Sequence, residues 1–397
     1  MKFFKKKLKN GMVVIMEKRE LPVVSFSITN RFGAAYEKSE IKGIAHVIEH
    51  LLFTGTKNRT HEEISREIEK KGGILNAFTD HEVTSFWFKL PSEHLFTGID
   101  ILADMLKNPL FDEKKFEKEK KVILEEIKMY NDNPRMRAMW QIEKNLFEKP
   151  FGELIIGNEK SVSSLRRDFV ADFYRKNYSP ENFIVTVVGN ANFEKICDYL
   201  EKNFKAEGKK PKIIKIKKKN DDVTEEREGI DQANLIFAFH APLPGTKEFY
   251  ALEVFDAYFA NGMSSKLFLE IREKRGLAYA VKSSINAERN YSFYSVYVGT
   301  MKEKVSEVKK IILEELKKVE NMSEKDLEEA KQQVIGLRKV NSEESANVMN
   351  ELMVNEIIND ARDYYKHDDE IKKVKLADVK KLAASVKEFS FAAVVPK

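Results

Sequence analysis

The chain has 397 residues, 34% of them charged, yet its formal net charge is only +5. That length exceeds one ordinary hydrophobic core and points to two or more domains, while the near balance of charge supplies no field for nucleic acid. A single cysteine, Cys197, excludes an internal disulfide framework and a thiolate-rich metal centre.

Taken in chain order, the basic start Met1 to Leu8 lacks the apolar run of a signal peptide. No later stretch approaches the ~20 apolar residues of a membrane span, so a cytoplasmic protein without a membrane partner is expected. After an Asn10-Gly11 turn, Met12–Met16 and Val23–Thr29 read as strands. The segment Ile44 to Thr56 then reads as a helix with His46 and His50 on one face and Glu49 beside them. Two satisfied core histidines are the plain alternative. However, Ile44, Val47, Ile48, Leu51, Leu52 and Phe53 surround the polar residues, and burying two imidazoles with a carboxylate costs several kcal/mol unless something pairs them. A divalent cation does so, with Glu49 as a base at its open position. The order His-x-x-Glu-His is the reverse of the commoner His-Glu-x-x-His.

Thr60 and Glu63 form a capping box for a helix that stops at Gly72-Gly73, and Ile74–Phe78 and Val83–Leu90 follow as strands. A long helix runs roughly from Glu113 to Tyr130 with Phe116, Ile123 and Ile127 as its apolar stripe. Glu119 and Glu126, seven residues apart, both border that stripe, whereas Glu125 points toward solvent. A catalytic zinc has three protein ligands and an open position, so Glu126 is assigned as the third ligand, with Glu119 orienting a ligand histidine or sharing the metal's charge.

The plan then repeats. Glu67 to Phe78 is echoed by Glu270 to Ala280, and Ser85 to Leu90 by Ser292 to Tyr297, which points to duplication of a domain. Residues 1–208 are expected to form the metal-binding domain and 229–397 its homologue, joined by a charged linker, 209–228. The linker's lysines read more simply as an exposed connector or edge strand than as a binding patch. In the second half Ala330 and Leu337 stand where Glu119 and Glu126 stood, and no His-x-x-Glu-His occurs, so one metal per chain is expected. His61, His81, His94, His240 and His367 lie outside the ligand spacing.

Leu8 to Gly11, Gly33 to Glu37, His46 to His50, Gly72 to Thr79, Glu119 through Glu126, Ser265 to Phe268 and Arg272 to Tyr279 occur in an order that resembles the pitrilysin/insulinase family of zinc metallopeptidases. The likeness is to its short two-domain class, which includes mitochondrial-processing-peptidase subunits and bacterial relatives. It implies an α+β fold of two homologous domains, each a largely antiparallel sheet packed with helices. Asn76, Ala77 and Phe78 match the edge strand that pairs with substrate backbone, and Arg272 and Tyr279 match the pair that closes over substrate. The resemblance also implies a homodimer in which Arg272 and Tyr279 of one protomer face the metal of the other. The expected function is a zinc endopeptidase acting on oligopeptides or unfolded segments, with Glu49 as general base. The alternative is a non-hydrolytic homologue serving as scaffold or partner subunit.

Overall fold

In the computed structural model, residues 2–205, 212 and 215–397 are described; part of the expected linker, 209–211, 213 and 214, lies outside them. The chain divides into two compact units. One comprises Met1–Lys128, Glu153–Lys215 and Asn341–Tyr364; the other comprises Met129–Gly152, Ile216–Val340 and Tyr365–Lys397.

The first unit contains β1 (Lys2–Lys7), β2 (Val13–Lys18), β3 (Val23–Asn30), β4 (Ile74–Thr79), β5 (Thr84–Pro91) and β6 (Phe183–Gly189). They form one sheet in the order β1-β2-β6-β3-β5-β4, antiparallel throughout except for the β2–β6 pair. Alternation along the strands sends side chains to opposite faces. Val14, Met16, Val24, Phe26, Ile28, Phe86, Phe88, Val185 and Val187 join the main core, into which α1 (Ile44–Phe53), α3 (Leu95–Lys107) and α4 (Glu113–Asp132) also send apolar residues. Between α1 and α3 lies α2 (His61–Glu69), whose capping box is present: Glu63 N donates to Thr60 Oγ1 and Thr60 N to Glu63 Oε2.

On the other face, Ile15, Ile184 and Val188 pack with Val348, Met349 and Leu352 of the helix Ser345–Ile358. The Ser25 and Ser345 hydroxyls also meet there at 2.9 Å. Thus a helix from late in the sequence completes the early unit.

The second unit repeats the plan with β7 (Val223–Arg227), β8 (Ala233–His240), β9 (Ala278–Glu288), β10 (Tyr291–Thr300) and β11 (Ser390–Pro396). Their order is β7-β11-β8-β10-β9, with only β7–β11 parallel, which reproduces the first sheet without β1. Two homologous, mostly antiparallel α+β domains are therefore present. Here α5 (Pro134–Leu146), capped by Asn133 with proline at its first position, belongs to the second unit, where Asn145 Nδ2 donates to the Phe391 carbonyl at 2.9 Å. Residues 129–152 and 341–364 thus cross the simple 1–208 and 229–397 division. The physical reason is that each sheet has a second apolar face that needs a covering helix. Within 209–228, residues 223–227 form β7.

Candidate active site

The helix α1 is fixed at its start by a buried carboxylate. Glu37 Oε1 accepts from Ala45 N at 2.7 Å and Oε2 from Gly43 N at 2.9 Å, which satisfies amides that a helix N-terminus leaves open. Burial pushes the Glu37 carboxyl up to about 7, against the opposing pull of Lys42, 3.9 Å away, and of the two amides. With its start held, α1 buries Ile44, Ala45, Val47, Ile48, Leu51 and Leu52, and brings His46 and His50 to one side.

Their rings lie 4.6 Å apart, nearly perpendicular. His46 Nε2 is 3.8 Å and His50 Nε2 3.7 Å from the same oxygen, Glu126 Oε2. These separations exceed hydrogen-bond length. They suit donors arranged around a shared ion, since tetrahedral arms of ~2.0–2.1 Å set ligand atoms ~3.4 Å apart. Among the described residues this trio is the one group of three His, Cys, Asp or Glu side chains with ligand atoms all within 4.8 Å of one another. A donor set of two imidazole nitrogens and one carboxylate oxygen fits zinc.

His46 is 8% exposed, and burial, reinforced by His50, pushes its pKa down to about 3, so the ring is neutral and has a lone pair to give. Burial also opposes protonation of His50, but Glu119, Glu49 and Glu126 together outweigh it and raise its pKa. His50 Nδ1 lies 3.2 Å from Glu119 Oε2, an anchor that turns Nε2 toward Glu126. On α4, Phe116, Ile123 and Ile127 are buried, Glu119 and Glu126 are partly covered, and Glu125 is exposed and paired with Lys128.

Glu49 is largely buried, which raises its carboxyl pKa, opposed by a hydrogen bond from Thr79 Oγ1 to Oε2 at 2.6 Å. Thr79 ends β4, the strand that carries Asn76, Ala77 and Phe78. β4 is an edge of its sheet, paired only with β5, and Ala77 N donates to the Asn76 side chain at 2.8 Å instead of to a strand.

Arg272 and Tyr279 lie together in the second unit. The guanidinium sits 4.8 Å from the Phe268 ring and 5.3 Å from the Tyr279 ring, and Tyr279, near the start of β9, is 80% exposed. At the positions echoing Glu119 and Glu126, Ala330 is buried and Leu337 is exposed. His61 faces the Phe53 carbonyl, His240 the Lys219 carbonyl and His367 the Glu253 carboxylate.

Sequence reasoning missed Glu37 and Thr79 as residues of the site. Both fall inside the segments quoted for the family likeness, but nothing local marks either as a partner of α1.

Residues 12–158 match the family described as Insulinase (Peptidase family M16), and residues 164–334 match the Peptidase M16 inactive domain. A Rickettsia felis protein named an uncharacterized zinc protease is 32% identical over 83% of this chain and 81% of its own length. Uncharacterized zinc protease YmxG of Bacillus subtilis is 32% identical over 88% of this chain and 90% of its own. In fold, the chain is similar to a protease from Helicobacter pylori, with a TM-score of 0.92, 22% identity and 100% and 99% of the two chains covered. A peptidase M16 inactive domain structure from Pseudomonas fluorescens follows with a TM-score of 0.91, 17% identity and 100% and 99% coverage. The chain belongs to the insulinase family of peptidases, family M16.

Proposed function

We propose that this chain is a zinc-dependent endopeptidase for oligopeptides or unfolded segments, with one zinc per chain held by His46, His50 and Glu126. The observation that carries the reading is the convergence within 4.8 Å of donor atoms from two histidines of α1, the helix that also carries Glu49, and from Glu126 of α4. Zinc in such a site supplies Lewis-acid polarisation of the scissile carbonyl and of the attacking water.

The chain's own residues do the rest. Glu49 takes a proton from the attacking water and delivers it to the leaving amine, a role suited to a carboxylate whose pKa is raised by burial. Glu119 keeps the His50 ring in place. Asn76, Ala77 and Phe78 offer an open strand edge that pairs with extended peptide backbone and leaves sequence choice to side chains. Arg272 and Tyr279 act from the opposite protomer of a homodimer, with Tyr279 donating to the developing oxyanion and Arg272 holding substrate backbone or its carboxyl end. The inactive-domain match covers 164–334, which contains none of the three metal residues, and so agrees with a single metal site in the first unit. The absence, among the described residues, of a helix long and apolar enough to cross a membrane is compatible with a cytoplasmic setting.

The test is hydrolysis of a quenched fluorescent peptide library by the zinc-loaded chain, beside Glu49→Gln at equal metal occupancy. Turnover by the wild type alone is the expected result. Zinc bound without turnover in the wild-type dimer overturns the reading in favour of a non-hydrolytic scaffold or partner subunit.

A further inference from the structure

The strand that offers its edge to a peptide is tied directly to the base. Thr79, the last residue of β4, directs its hydroxyl at Glu49 Oε2 over 2.6 Å, within the range of a charge-assisted O–H···O⁻ bond. Thr79 is the one hydrogen-bond donor to the Glu49 side chain among the described residues. A glutamate carboxylate turns about a broad terminal torsion with little preference of its own. A donor fixed to one oxygen therefore selects the orientation in which the other oxygen acts.

The donor is itself held. The turn that follows Thr79 closes with Asp80 N donating to the Val83 carbonyl at 2.8 Å. It is stapled from outside: Ala34 N donates to the Asp80 carbonyl at 3.0 Å and Ala35 N to the His81 carbonyl at 2.7 Å. Gly33 permits this approach, because a Cβ there would stand 2.2 Å from the Asp80 carbonyl oxygen. Two residues beyond Ala35, Glu37 caps α1. The contacts thus form a closed ring from α1 through Glu37, the 33–37 loop and the 80–83 turn to Thr79, and back to α1 at Glu49.

We infer that Thr79 is a positioning residue for the general base, locking the Glu49 carboxylate in register with a peptide paired on β4. This inference rests on the proposed peptidase reading. A positioning role acts on the chemical step and leaves binding alone. Thr79→Val, which keeps the shape and removes the hydroxyl, is expected to lower kcat about 10- to 100-fold with KM within about twofold. Zinc affinity, measured by competition with a chromophoric chelator, is expected to stay at the wild-type value. Thr79→Ser is expected to restore most of kcat.

Wild-type kcat in the valine protein overturns the inference. So does a serine protein as slow as the valine one, since packing of the methyl group is then what matters, or a parallel loss of zinc affinity, since the metal site itself has then moved. Crystal structures of the two variants separate this inference from the peptidase reading. The Glu49 carboxylate is expected to keep its wild-type orientation with serine and leave it with valine. An unmoved carboxylate in the valine protein overturns the inference whether or not the wild type hydrolyses peptides.

Discussion

His46 and His50 present nitrogens to the same point from one helix, yet they are held by different means. Glu119 anchors the His50 ring, whereas His46 Nδ1 is buried with no hydrogen-bond partner among the described residues, so packing alone holds that ring. In the proposed zinc site, removing the anchor therefore frees one ligand and leaves the other untouched. Glu119→Ala is expected to lower zinc affinity roughly 10- to 100-fold, the usual effect of losing such a support. Glu125→Ala, which loses only an exposed pair with Lys128, serves as the control and is expected to bind zinc as the wild type does. Equilibrium competition titration checks both. The pairing of His46 with His50 on α1, and of Glu119 with Glu126 on α4, was readable in the sequence because i, i+4 and i, i+7 relations depend on nothing but the helix that carries them. Glu37 and Thr79 were not readable, because their partner is reached only once a loop and a hairpin have closed around α1.

Among the elements, the loop 33–37 does more than connect. It lies against the hairpin turn on one side and caps the start of α1 on the other, so its close approach at Gly33 is a structural requirement. Gly33→Ala forces the Asp80 carbonyl or the loop to move, and is expected to destabilise the chain by about 1–3 kcal/mol, read as a lower denaturant midpoint in chemical unfolding. Strands β2 to β5 and the helix with the Thr60 capping box stood close to where hydropathy and turn residues put them. The long helix did as well, running from Glu113 to Asp132 against an expected end near Tyr130. β1 escaped notice because four of its six residues are lysines, which read as solvated tail until pairing with β2 is seen. The helices Pro134–Leu146 and Ser345–Ile358 show a different limit: periodicity reveals that a helix has an apolar face but not which sheet that face covers.

At the scale of the whole molecule, the polypeptide leaves and re-enters each compact unit, so neither unit is a continuous stretch of sequence. Val348, Met349 and Leu352 are essentially buried against the first sheet. At about 1.5–3 kcal/mol for each such side chain, their loss is comparable with the 5–15 kcal/mol that stabilises a typical domain. Residues 1–208 expressed alone are expected to aggregate, or to unfold without a cooperative transition in calorimetry. Co-expression with residues 209–397 is expected to restore both solubility and the transition. A stable, monomeric 1–208 fragment would show that the borrowed helix is dispensable.

The two rims of the first sheet are unlike. β1 carries lysines, with Lys5 bound to Glu356 and Asp360 and Lys6 to Glu194, whereas β4 at the far rim, Ile-Leu-Asn-Ala-Phe-Thr, has no charge at all. Charged rims repel stray strands, and uncharged ones admit them. The sheet is therefore a one-sided template, open to extension at β4, the edge to which the proposed function assigns the peptide. The same openness makes β4 the rim of this sheet where a nascent or heat-loosened copy of the chain would adhere, so an edge kept open for extended peptides, as proposed, must also be guarded against its own unfolded kin.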